Sequence, residues 1–238
     1  MKIALLSLCI TLVTLSTTAQ SVDTVFAQYL DFLGGKQRLR AIHTRIDSGV
    51  YNYGGLEFPF VSYAKGPDQY KYIVTFNGKY FAQAFDGRQG WKIDAFKNEK
   101  QKTLLYGDDA TAMANEADVH IAPPFLDYKQ KGYTATLEGL DTVGGVYCNK
   151  IRFTSPNKDT ARYFFDRQTG ALLKKIAVSR NTELGGATLE TTYSNYTRVE
   201  GINIPFKTVN KIKDQTVLTI TVRTITLNPP VDDEIFKP

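Results

Sequence analysis

TRIDSGVYNYGGLEFPFVSYAKGPDQYKYIVTFNGKYFAQAFDGRQGWKIDAF, residues 44–96, decides the fold. It divides into short runs rich in β-branched and aromatic residues: TRIDSGVYNY, LEFPFVSYAK, QYKYIVTFN, KYFAQAFDG and GWKIDAF. Between them stand turn formers: Gly54-Gly55, Gly66-Pro67-Asp68, Asn77-Gly78-Lys79 and the Asp86–Gly90 segment. Asn-Gly suits a two-residue hairpin, because both central positions of that turn need a positive φ. Links this short force antiparallel pairing, since a parallel link needs a long crossover. A meander must bury at least one face. Here Tyr70, Tyr72, Val74 and Phe76 share one side of a strand, with Lys71, Ile73 and Thr75 on the other. Tyr80, Ala82 and Ala84 alternate with Phe81 and Phe85, and Trp91 and Ile93 with Lys92, Asp94 and Phe96. Bulky side chains on both faces imply either a covered second face or a cavity.

Two helices precede the meander. Val22, Val25, Phe26, Tyr29, Leu30 and Leu33 recur at helical spacing behind a Ser21 or Asp23 cap, and Gly34-Gly35 ends the run. Lys36 to Ile42 is a second short helix, and both must dock on the sheet. After it, residues 97–131 break the strand pattern. GDDATAMANEADV predicts a helix, Pro123-Pro124 interrupts it, and Phe125, Leu126 and Tyr128 follow. A connection this long and this apolar suggests a lid or plug docked on the body. From Tyr133 a second meander runs through YTATLEG, VYCNKIRFTS, TARYFFDR, ALLKKIAVSR, ATLETTYSNYTRV, NIPFKTVNK and TVLTITVRTITL, closing with a tail whose Ile235 and Phe236 can tuck back.

The 238 residues, 42% hydrophobic and 22% charged, have ordinary globular composition. Residues 1–19 have the pattern of a Sec-type signal peptide: Lys2, an apolar run over Ile3–Leu15, and small residues ending at Ala19. Residues 20–238 then form one domain, with no Pro- or Ser-rich linker between the halves. Cys9 falls within the leader and Leu8 before it is bulky, so no lipid anchor is expected. Cys148 is left as the single cysteine of the mature chain, which excludes an internal disulfide and suits a small core residue. No later run is long and apolar enough to cross a membrane as a helix. The net charge of +5 is spread in small groups, without the dense stripe that nucleic acid requires.

Catalytic signals are sparse. His43 and His120 lack partners at metal-ligand spacing, and no GxSxG, GxGxxG or GxxxxGK[ST] motif occurs. Asp108-Asp109 suits a helix cap, and Asp232-Asp233-Glu234 a polar tail. Scattered carboxylates such as Glu57, Asp94 and Glu138 have nothing to set them apart from solvated surface. The aromatic content stands out: 14 Phe, 14 Tyr and one Trp, mostly in strands. Core packing accounts for many of them, and a curved sheet wrapped round an apolar ligand accounts for aromatic side chains on both faces.

Several segments resemble one family: YLDFLGGKQRLRAI at 29–42, FAQAFDGRQGWKI at 81–93, PFLDYKQKGYTATLEG at 124–139, YFFDRQTGALLKK at 163–175, YSNYTRVEGINIPF at 193–206, and the terminal NPPVDDEIFKP. Together they resemble the periplasmic outer-membrane lipoprotein-sorting proteins, the LolA/LolB/LppX-like superfamily, in the form common in Bacteroidota. The resemblance implies a mainly β fold with a few helices, built as a strongly curved antiparallel sheet, an incomplete barrel of about 11 strands, with helices on the concave side. It implies a noncatalytic periplasmic carrier that shields acyl chains of lipids or lipoproteins in an apolar cavity, needs no cofactor, and exchanges cargo with a membrane-bound donor or acceptor protein. An envelope-sensing, protein-binding module of the same fold and a secreted enzyme of unassigned chemistry are the alternatives. Tyr72, Val74, Phe76, Phe81, Phe85 and Trp91 on strands are the candidate cavity residues, with Leu105, Met113, Phe125 and Leu126 from the helical insert.

Overall fold

The computed structural model describes residues 21–121, 123–180 and 184–238, with side chains 118–121 left aside. The expected signal peptide lies outside the described residues, as does the side chain of His120. Helix α1 (Val22–Leu33) starts at Ser21, whose Oγ accepts from the Thr24 amide at 3.1 Å. It stops at Gly34, where φ is +126° and an added Cβ would lie 2.4 Å from the Gly201 carbonyl oxygen. Only glycine allows that approach, and it sets the helix end directly on the sheet. Helix α2 (Lys36–Arg40) follows.

Strands β1 (Thr44–Tyr53), β2 (Leu56–Lys65), β3 (Gln69–Phe76), β4 (Lys79–Phe85) and β5 (Gly90–Asp94) form the expected meander. A sixth strand, β6 (Glu99–Leu104), continues it. Helix α3 (Gly107–Ile121) and the turns over 124–132 lead to β7 (Thr134–Val143), β8 (Val146–Thr154), β9 (Thr160–Asp166), β10 (Leu172–Val178), β11 (Thr188–Val199), β12 (Ile202–Ile212) and β13 (Gln215–Leu227). All thirteen join one antiparallel sheet in the order β6-β5-β4-β3-β2-β1-β13-β12-β11-β10-β9-β8-β7. Pairing of β1 with β13 welds the two meanders together.

This corrects the expectation of a strongly curved incomplete barrel of about eleven strands. The sheet is open and not strongly curved, and among the described residues it has thirteen strands, with β6 and β7 as its separate edges. Alternation of side chains specifies two faces, whereas curvature and closure depend on shear and edge pairing, which alternation does not encode. β6 escapes sequence reading for a related reason. EKQKTL is exposed throughout, so it has no apolar period, and its lysines suit an edge that must not recruit another strand.

Both longer helices lie on the same face of the sheet. α1 packs on β12 and β7, and α3 on β1 to β5. The α1 side is an aromatic core. Phe26 sits 4.6 Å from Phe125, 5.0 Å from Tyr128, and 5.8 Å from both Phe153 and Phe165, ring centre to ring centre. Gln28 donates to the Arg167 and Gln168 carbonyls, and Asn203 donates to the Phe32 carbonyl at 2.6 Å. The opposite face is closed by the tail: Phe236 is fully buried and its carbonyl accepts from Trp91 Nε1 at 2.7 Å.

Asp23 clips the 124–132 turns to α1, accepting from Lys129 Nζ at 2.7 Å and Tyr128 Oη at 2.8 Å. The Lys129 hydrogen bond first, and the Tyr128 hydroxyl next, hold its carboxyl below the ordinary 3.8. A group whose folded pKa is depressed stabilises above its unfolded pKa and loses that contribution as pH falls through the folded value. Asp23→Asn is therefore expected to lower the melting temperature slightly at pH 7, with the two proteins converging below pH ~4. Melting curves across that range check it, and a difference that persists undiminished at pH 2 contradicts it.

Candidate functional site

The helix-bearing face has three parts. Under α3, Met113 and Ala117 are buried against Ala64, Tyr70, Phe85 and Leu105, with Tyr72, Ala110 and Ala114 half-buried at the margin. Alanines at these three helix positions let the backbone come close to the sheet while burying little side chain. The N-terminal end of α3 is held by Arg180, which donates to Asp108 at 2.8 Å and Asp159 at 2.6 Å. Under α1 lies the aromatic core described above, which also takes in Tyr29, Leu30, Ile202, Ile204 and Leu227.

Between the two cores runs a third part, across β1, β13, β12 and β11. Tyr51, Ile220, Thr208 and Tyr193 are successive cross-strand partners there, on β1, β13, β12 and β11. All four are half-buried, in contrast with the sealed cores on either side. Tyr51 stacks on Phe60 at 4.4 Å. Burial raises the Tyr51 and Tyr70 hydroxyl pKa values and pushes Tyr193 up to about 12, so all three are neutral hydroxyls at pH 7. Arg45 and Asp47, at the neighbouring end of β1, form a bidentate pair at 2.7 and 2.6 Å and cancel one another's charge.

The sequence-derived candidates separate into groups. Tyr72, Phe85, Leu105 and Met113 meet beneath α3. Val74, Phe76 and Phe81 share that face by strand alternation; Phe81 lies 5.8 Å from Tyr72, and Phe76 4.8 Å from Phe58. Phe125 and Leu126 belong to the α1 core. Trp91 stands apart: its cross-strand partner is Ala84, so it faces away from both helices, with Lys102 Nζ 4.5 Å above its ring. Cys148 is fully buried on that same opposite face, pairing across to Asp166. Sequence reading missed Tyr51, Tyr193, Ile220 and Lys175. A signal existed for the last. Of two adjacent lysines in a strand one must point to each face, so either Lys174 or Lys175 had to lie on the helix side.

A recess of about 410 Å³ opens between the Lys65–Gln69 turn, the Asp86–Arg88 turn and Asp233. It is polar, and Lys65 is neutralised there by Asp233 at 2.6 Å. Nothing in it suits an apolar chain.

No protein-family model and no curated protein matches the chain. Solved structures match it in fold. A DUF1329 family protein from Desulfovibrio piger aligns at TM-score 0.61 and 13% identity, over 92% of this chain and 98% of that one. A LolA superfamily protein from Nitrosomonas europaea aligns at 0.58 and 13%, over 90% and 96%. A domain from Vibrio parahaemolyticus described as an outer membrane lipoprotein-sorting protein aligns at 0.59 and 10%, over 90% and 95%. The architecture is thus that of LolA-like and lipoprotein-sorting domains, and identities this low speak to fold alone.

Proposed function

We propose that this chain is a noncatalytic periplasmic carrier that holds acyl chains of a lipid or lipoprotein between its sheet and helices. The observation that carries the reading is the half-buried strip of Tyr51, Ile220, Thr208 and Tyr193 between two sealed cores. An acyl chain laid along this strip would gain about 0.8 kcal/mol for each CH₂ buried. Tyr72, Val74, Phe76, Phe81, Phe85 and Leu105 continue the apolar floor, Met113 packs on it from α3, and Phe125 and Leu126 form the wall on the α1 side. α3, seated through Met113 and three alanines, is the element that covers this part of the floor. In this reading residues 1–19 deliver residues 20–238 to the periplasm, a membrane-bound protein supplies or accepts the cargo, and the fold shared with lipoprotein-sorting domains is in keeping with that role.

Native mass spectrometry of protein purified without detergent tests it, with organic extraction to identify what is bound. An added mass that extracts as a lipid or acylated peptide is the expected result. Bare protein that also fails to take up a fluorescent fatty acid overturns the proposal.

A further inference from the structure

The strip has a polar centre. Leu218, Asn210, Thr191, Lys175, Tyr163 and Ile151 are successive partners across β13, β12, β11, β10, β9 and β8. The row is apolar at both ends. At its middle a lysine, an asparagine and a threonine share the helix-bearing face, beside the Tyr193 row about 7 Å away.

Two observations set this centre apart from ordinary strand surface. Lys175 is half-buried, and among the described residues it makes no ion pair within 4 Å. Its neighbour Lys174, on the other face, is matched by Glu190 at 3.4 Å. Its Nζ is 5.8 Å from the centre of the Tyr163 ring, and Glu116 of α3 is the acidic group that acts on it. Tyr163, then Tyr193 and Glu116 of α3, hold its ammonium pKa above the ordinary lysine value against the desolvation that opposes it, so it is cationic at pH 7. Second, Asn210 Oδ1 is buried with no hydrogen-bond partner. A half-buried lysine without an ion pair and an amide oxygen without a partner, two strands apart, each keep hydrogen-bonding capacity that a ligand can take up.

We infer that Lys175 and Asn210 form a headgroup site for a monoanionic single-chain amphiphile, a long-chain carboxylate, whose tail lies along the Tyr51–Ile220–Thr208–Tyr193 strip. One carboxylate oxygen accepts from Lys175 Nζ. The other accepts from the Asn210 amide, which turns about its Cβ–Cγ bond to present Nδ2. The single cation balances one negative charge, so a dianionic phosphate would leave charge uncompensated in a desolvated setting. The inference rests on the acyl-binding reading of this face and adds the chemistry of the headgroup.

Binding of laurate, dodecanol and dodecyl phosphate, each below its micelle concentration, tests it by displacement of a neutral fluorophore from the wild type, Lys175→Met and Lys175→Arg. The wild type is expected to favour laurate over dodecanol by about tenfold to a hundredfold, the range of a charge-assisted hydrogen bond. Lys175→Met should abolish that preference while keeping dodecanol affinity, which also certifies its fold. Lys175→Arg should keep most of it. Equal affinity of the wild type for laurate and dodecanol overturns the headgroup assignment and leaves the acyl-binding reading standing. Tighter binding of dodecyl phosphate than laurate overturns the choice of carboxylate. Failure of all three to bind removes both readings. If Lys175→Met does not fold, the wild-type comparison decides alone.

Discussion

Phe125→Ala is expected to destabilise the protein by about 3–5 kcal/mol, the cost of removing a large ring from a packed core. Five aromatic partners surround this ring: Phe26 at 4.6 Å, Tyr163 at 4.9 Å, Phe153 at 5.1 Å, Phe165 at 5.3 Å and Tyr29 at 5.6 Å between ring centres. They come from α1, β8 and β9, so the cavity left by alanine has rigid walls on three sides and little means of collapse. The connection expected from sequence to be a lid is, at this end, an anchor. Its Phe125 is 2% exposed and Leu126 5% exposed, as deeply buried as Met113 (3%) of α3. Urea unfolding measures the effect. A loss below about 1 kcal/mol would mean that the 124–132 turns are detachable and that the lid reading was correct for the whole segment.

Phe236→Ala is expected to have a similar cost, about 3–5 kcal/mol, on the opposite face of the sheet. Phe236 is 0% exposed although it lies two residues from the C-terminus, and its carbonyl accepts the only N–H that the buried Trp91 side chain can donate. Lys102 Nζ donates to the Lys237 carbonyl at 2.7 Å, and Lys65 Nζ to that of Val231 at 3.0 Å. Loss of the phenyl ring should free the tail, wet the indole and shift tryptophan emission to the red. Trp91 is the one tryptophan in the chain, so the signal is unambiguous. Acyl binding by the refolded variant should persist, because this face is not the one that carries the helices. Loss of binding with the melting temperature unchanged would move the site to the Trp91 side.

The strands of the first meander were legible because their turns are spelled out in glycine, proline and Asn-Gly, and because β-branched and aromatic residues fill the runs between. The N-terminal helix was legible from its period and its glycine stop. β6 was not, since a solvated edge strand pairs through backbone alone and its side chains carry no period. Closure and curvature were not, because they belong to the register of many strands together. Candidate residues show the same division. Phe85, Leu105 and Met113 converge beneath α3. Trp91 was grouped with Phe81 and Phe85 for its aromatic character, but alternation within a strand does not say how that strand registers with the next, and the observed register puts Ala84 beside it. The polar centre carries one sequence signal, the adjacent Lys174 and Lys175, of which one had to face the helix side.

The most direct measurement of the central claim is where a bound acyl chain lies. The protein would be photolabelled with a fatty acid carrying a diazirine near the tail end, then digested and its labelled peptides mapped. Labels concentrated in β11, β12 and β13 around Tyr193, Thr208 and Ile220, and competed away by laurate, are the predicted result. Labels on β5, β6 or the C-terminal tail, or scattered labelling that laurate does not displace, would contradict it.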